Sequence, residues 1–244
     1  MNLALYAAKC SGLFTLAQWI YRKHLNILCF HGFSFHREHE FRPKLFMTPE
    51  TFARRLAYLQ KHQFKVLTLD EALVRLGRGD SCIKDTVITI DDGFFSVLKL
   101  AGPALKEYGY PATLYVTSYY SKHPNPVYRL VVQYVFWKTV VPEIEWSALI
   151  PGMSNASGAL AGTKVSIDDA LCEWLIGYGE SELDEDGRMT LLSKLGKALD
   201  VSLEKLSTSR WFSLLTAGEI RELASYGVDA VSYTHLTLPT SDLV

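Results

Sequence analysis

Residues 87–94 read Val-Ile-Thr-Ile-Asp-Asp-Gly-Phe. An apolar, β-branched run of this kind belongs to a strand covered on both faces, as in a parallel sheet. It ends in two adjacent carboxylates and a glycine. Side chains alternate across a strand, so neighbours normally face opposite ways. Past the strand's carboxyl end the chain leaves the sheet, and both acids can reach one cleft. Two carboxylates held together raise each other's pKa unless a cation or a shared proton intervenes. Turn chemistry offers a second reading, in which the aspartates cap the helix that follows. Position speaks for a site, because active sites of parallel α/β sheets gather at the carboxyl ends of strands. There one carboxylate can hold a divalent metal while the other takes a proton from a metal-bound water.

Working outward, strands and capped helices alternate. Residues 26–31 (NILCFH) read as a strand. Thr48-Pro49-Glu50 supplies a capping hydroxyl, a proline at the first helical position and an acid, opening a helix that carries Phe52, Leu56 and Leu59 on one stripe. Residues 64–69 form the next strand, and Thr68 with Glu71 makes a capping box for the helix after it. A helix follows Asp91-Asp92-Gly93, bends near Gly102-Pro103 and closes at Gly109, and residues 111–118 form a further strand. Repeated units of this length argue for a parallel sheet or barrel. From 121 to 215 the pattern turns helical and strongly apolar, with a flexible stretch at 151–163, and reads as a helical insertion that sends no strand into the sheet. Thr216 to Glu219 is another capping box. The expected organisation is an N-terminal helix (1–25), the first part of the barrel (26–120), the insertion (121–215), a return to the barrel (216–230) and a tail (231–244).

The bulk composition is ordinary for a globular protein of 244 residues, 48% hydrophobic and 21% charged with a net charge of -1. A near-neutral chain has no general attraction for nucleic acid, so no nucleic-acid partner is expected. The four cysteines, Cys10, Cys29, Cys82 and Cys172, are widely spaced and read as reduced, buried thiols. The first twenty residues are apolar but lack the basic leading segment of a secretory signal, and Lys9 interrupts them. They are borderline in length for a membrane span and are read as a helix packed on the domain or lying at a surface, in a cytoplasmic protein; membrane contact through this helix is possible but not expected.

Among the histidines, His31 ends the first strand. It is either a structural histidine at a strand end or a site residue on the same rim as Asp91 and Asp92. His36 and His39 belong to a polar loop, and His24, His62 and His123 read as surface residues. Tyr119-Tyr120 reads as packing beneath the insertion, with stacking on a sugar as the alternative. A phosphoryl-transfer enzyme with an aspartate nucleophile would want Asp-x-Asp after the strand, a spacing Asp91-Asp92-Gly93 lacks.

The stretch at 87–94, a helix, then YPATLYVT (110–117), preceded by ILCFHGF (27–33) and resumed at LTAGEIRELASYGVDA (215–230), resembles the polysaccharide deacetylases of carbohydrate esterase family 4. That resemblance implies an incomplete irregular (β/α) barrel with a helical insertion. It implies a carbohydrate substrate and a divalent metal cofactor, usually zinc. Asp91 would be the catalytic base, Asp92 a metal ligand, and His31 a residue lining the substrate site. The implied reaction is metal-assisted hydrolysis of an acetyl amide or ester. The sequence departs from the family where a His-x-x-x-His pair should follow. Aligned on Gly227 and Asp229, the two positions fall on Tyr233 and Thr237, with His235 between them. The family's later motifs do not appear before Val244, and residues 231–244 resemble translated adapter sequence. The expectation is therefore a C-terminally truncated fragment with a foreign tail, inactive as it stands. The alternative is a catalytically dead carbohydrate-binding or regulatory module of the same fold.

Overall fold

The computed structural model describes residues 3–117, 125–150 and 164–233. Contacts divide the chain into two compact units. One comprises residues 1–39, 43–118 and 217–244, and the other residues 40–42 and 119–216.

In chain order the first unit begins with α1 (Leu3–Cys10) and α2 (Leu13–Ile20), then β1 (Asn26–Phe30) and β2 (Gly32–Phe33). A single turn, α3 (Glu38–Phe41), crosses the boundary in sequence. β3 (Phe46–Met47), α4 (Pro49–Lys61), β4 (Lys65–Val66), α5 (Leu69–Arg78) and β5 (Asp85–Ile90) follow. A π-helical turn (Val97–Ala101) leads into α6 (Gly102–Tyr108) and β6 (Ala112–Thr117). The second unit holds α7 (Tyr128–Lys138), β7 (Glu143–Glu145), β8 (Lys164–Ser166), α8 (Asp169–Glu182), α9 (Glu185–Ala198) and α10 (Glu204–Ser209). α11 (Ala217–Ala224) and β9 (Val228–Tyr233) complete the first unit.

The main sheet runs β1-β5-β6-β9, with β4 also paired to β5, and every one of these pairings is parallel. All six residues of β5 are buried, as its apolar run demands of an interior strand. Among the described residues the path ends at β1 and β9 without closing, so they form an α/β arrangement with an open parallel sheet. The expected stripe of α4 is buried, and Phe52 meets Phe30 and Phe33 edge-on with ring centroids 5.1 and 4.8 Å apart. Thr68 caps α5 through the Glu71 N–H, and Gly109 ends α6 in the left-handed conformation at φ 64°. Asp85, 1% exposed, is held by Arg75 Nε and by the Cys82 N–H, each at 3.0 Å.

The second unit packs α7, α8 and α9 around Val131, Leu175 and Leu195. Asp168 and Asp184 cap α8 and α9, each accepting from a backbone N–H at 2.8 Å. The ring of Tyr128 lies against Gly179, and its hydroxyl donates to the Leu175 carbonyl at 2.8 Å.

Several expectations need correction. The N-terminal segment is two short helices rather than one, broken at Gly12, whose φ of 76° ends the first. The side chains described on the two helices are exposed or half-buried. The strand expected at 64–69 is only two residues long, because Thr68 is already the cap of α5. Within 121–215 a small antiparallel pair, β7 with β8, accompanies the helices and pairs with no strand of the main sheet. The cysteines are free, but Cys10, Cys29 and Cys82 are exposed and only Cys172 is buried. Cys29 was misread because β1 is an edge strand, where an apolar run need not be covered on both faces.

Candidate functional site

The site is built at the carboxyl end of β5. The Asp91 N–H donates to the Phe30 carbonyl at 2.8 Å, continuing the β1–β5 ladder by one step beyond the strand. The chain then turns: Asp92 takes φ 67° and Gly93 φ 76°, and the Gly93 N–H donates to the Asp91 carbonyl at 2.8 Å. Aspartate is among the few side chains that tolerate the left-handed region. Gly93 is required for a second reason, since a Cβ there would stand 2.9 Å from Val116 Cγ1 of β6. The glycine thus lets the turn lie flat against the neighbouring strand.

Residues two apart in extended chain share a face, so Cys29 near the end of β1 and His31 just past it project together toward this turn. His31 Nε2 lies 3.8 Å from Asp91 Oδ2, and the Cys29 Sγ–H donates to the same oxygen at 3.3 Å. The donor atoms of Cys29, His31 and Asp91 all fall within 4.8 Å of one another. Asp91's carboxylate therefore turns to β1 rather than to the helix that follows. Beneath it the register lines up Cys29, Thr89, Thr113 and Asp229 across four strands.

Asp92 is half-buried, and this burial lifts its carboxyl above the usual range; Asp91 pushes the same way and His31 opposes. Partial burial raises the Cys29 thiol as well; a hydrogen bond with Thr89 pulls the other way, and the two aspartates add to the rise. His31 and Asp91 are brought together as the sequence reading had them. Asp92 sits next to them in the turn but outside the group of three donors. Cys29 was missed; the signal for it was the Cys-x-His spacing at the end of a strand. His36 is exposed and its backbone N–H is bonded to Glu38, while His39 faces Ser34 Oγ at 3.2 Å. His24 and His62 are exposed, as expected. Tyr119, Tyr120, His123, His235 and Thr237 lie outside the described residues, and Tyr233 closes β9.

The three donors suit a divalent cation. Tetrahedral zinc with bonds of about 2.0–2.3 Å sets its ligand atoms roughly 3.3–3.6 Å apart. The separations of Asp91 Oδ2 from Cys29 Sγ and from His31 Nε2, 3.3 and 3.8 Å, are close to that spacing. Thiolate, imidazole and carboxylate are all zinc donors.

No family model and no curated protein matches the chain. Among solved structures it is similar to a de-N-acetylase from Aggregatibacter actinomycetemcomitans, at 13% identity over 86% of this chain and 54% of that one, with a TM-score of 0.44. IcaB from Ammonifex degensii matches at 30% identity over 38% of this chain and 37% of that one, TM-score 0.33. A polysaccharide deacetylase from Bacillus cereus matches at 23% identity over 38% and 29%, TM-score 0.30. The chain thus spans about half, or less, of the length of these proteins.

Proposed function

We propose that the rim formed by His31, Asp91 and Asp92 is the centre of a metal-assisted hydrolase that removes acetyl groups from a carbohydrate. The observation that carries this reading is the convergence of Cys29, His31 and Asp91 at the carboxyl end of the central parallel strand. The sequence resemblance at 27–33, 87–94 and 110–117 supplies the reaction class.

Zinc held here would polarise the acetyl carbonyl and make a water nucleophilic near neutral pH. The chain's own residues divide the remaining work. By resemblance, Asp91 takes the proton from the water and Asp92 holds the metal. The geometry favours the exchange of these roles, because Asp91 Oδ2 is the oxygen that faces Cys29 and His31. Asp92, its carboxyl raised by burial, then has the basicity suited to accepting a proton. Loss of metal affinity in Asp91→Asn but not Asp92→Asn supports the exchange; the reverse supports the first assignment. By resemblance His31 lines the substrate site, whereas the geometry favours it as one of the three donors to the cation.

The resemblance puts imidazoles where this sequence has Tyr233 and Thr237. Tyrosine and threonine hydroxyls are poor zinc donors at neutral pH, which leaves the site short of the ligands that the resemblance implies. We therefore expect no measurable acetate release from the 244-residue chain. The test of function is acetate release from acetylated chito-oligosaccharide by the 244-residue chain carrying Tyr233→His and Thr237→His, which restores the two imidazoles that the resemblance implies. Release that requires a divalent metal and is lost in Asp91→Asn supports the hydrolase. Oligosaccharide binding without release overturns it in favour of a binding module.

A further inference from the structure

The helix α2 is unusual for a protein in water. Leu13, Phe14, Leu16, Trp19, Ile20 and the following Tyr21 are all exposed, Trp19 at 63% and Leu13 at 55%. On a helix of 3.6 residues per turn, Leu13, Leu16, Ala17 and Ile20 form one continuous stripe, with Phe14 and Trp19 on its flanks. A contiguous apolar surface of this kind marks a contact with something else.

Charge selects what that is. No aspartate or glutamate occurs before Glu38, whereas Lys9, Arg22 and Lys23 bracket the apolar stretch. Trp19 and Tyr21 sit beside Arg22, whose guanidinium lies 4.7 Å from the Trp19 ring centroid and donates to the Trp19 carbonyl at 2.8 Å. An apolar stripe, an aromatic pair and adjoining cations are the chemistry of the boundary between acyl chains and headgroups. A protein groove would need only the stripe. Among the described residues no helix is long and apolar enough to cross a membrane, and eight residues rise only about 12 Å against a hydrocarbon core of about 30 Å. The segment is tethered to the turn before β5, where the Ile83 N–H donates to the Arg22 carbonyl at 3.0 Å.

We infer that α2 lies flat in the surface of a bilayer carrying anionic lipids, with Leu13, Leu16 and Ile20 among the acyl chains and Arg22 and Lys23 among the headgroups. This inference is independent of the rim chemistry proposed above and reverses the expectation of no membrane contact.

The test is flotation of the full 244-residue chain with vesicles of phosphatidylcholine alone and with one quarter phosphatidylglycerol. Binding to the anionic vesicles is expected to exceed binding to the neutral ones at least tenfold. It should fall at least tenfold in Leu16→Glu/Ile20→Glu and in Arg22→Glu/Lys23→Glu, both checked for native circular dichroism. Brominated acyl chains should quench fluorescence of the wild type more than that of Trp19→Phe. Three outcomes would overturn the inference. They are no flotation with either vesicle, flotation unchanged in both variants, and a concentration-dependent dimer that Leu16→Glu/Ile20→Glu dissolves without any vesicle binding, which would make a second copy the occupant.

Discussion

His31 Nε2 stands 3.8 Å from Asp91 Oδ2, and Cys29 Sγ approaches the same oxygen at 3.3 Å. The three side chains come from an edge strand and from the loop that ends the central strand. The contact therefore reports the register between β1 and β5, and it ties the reactivity of Cys29 to Asp91. Partial burial first, and the aspartate charges after it, hold the thiol above its ordinary range, which leaves less thiolate at neutral pH. Iodoacetamide at pH 7.5 (roughly one unit below a free cysteine's value) should label Cys29 more slowly than the exposed Cys10 and Cys82. Asp91→Asn should speed labelling at Cys29 alone. Peptide mass spectrometry over time reads this directly; equal rates at all three thiols would contradict it.

Asp92→Asn should raise the melting temperature near neutral pH. Burial raises the Asp92 carboxyl, so the fold favours its protonated form. That favourable contribution is complete below the unfolded carboxyl's value and is lost as pH rises through the folded one. At neutral pH the charge therefore costs stability, and asparagine, which also tolerates the left-handed turn, removes that cost. Thermal melts in chelator at pH 7 and pH 3 should show the variant more stable only at the higher pH. A variant no more stable at pH 7 would contradict the assignment.

Gly93→Ala should destabilise the first unit by about 1–3 kcal/mol, combining a left-handed backbone with a Cβ forced against Val116. Urea unfolding should show a lower midpoint, accompanied by loss of any metal response at the rim.

Gly179→Ala tests the helical unit. Its Cβ would stand 2.3–2.4 Å from the Tyr128 ring, and that ring is 4% exposed with its hydroxyl bonded to Leu175. A loss of about 1–3 kcal/mol is expected, as for overpacking of a filled core. Pairing it with Tyr128→Leu should recover part of the loss, since the obstructing ring is then gone.

Much of the fold was legible because it is set locally. The run at 87–90, the Thr68 cap, the stripe of Phe52, Leu56 and Leu59 and the Gly109 stop each depend on a few adjacent residues, and each appears in place, although the Glu71 carboxylate pairs with Lys65 rather than closing the box. What escaped depends on partners distant in sequence. Whether Cys29 is covered is decided by the sheet ending at β1, and the row Cys29–Thr89–Thr113–Asp229 exists only once four strands are in register. β2 and β3 pair over only two residues each, too few for any periodicity to show. β9 continues through Tyr233, paired with Thr117, where the sequence alone suggests a tail from residue 231.

The rim as a metal site is tested most directly by titrating the 244-residue chain with cobalt(II) and following its absorption. The account predicts one equivalent bound with a near-ultraviolet sulfur-to-cobalt band. That band should vanish in Cys29→Ser, and affinity should fall at least about tenfold in His31→Ala and Asp91→Asn, the lower end of what loss of even an outer-shell partner costs. No binding, or binding that all three variants leave unchanged, would contradict it.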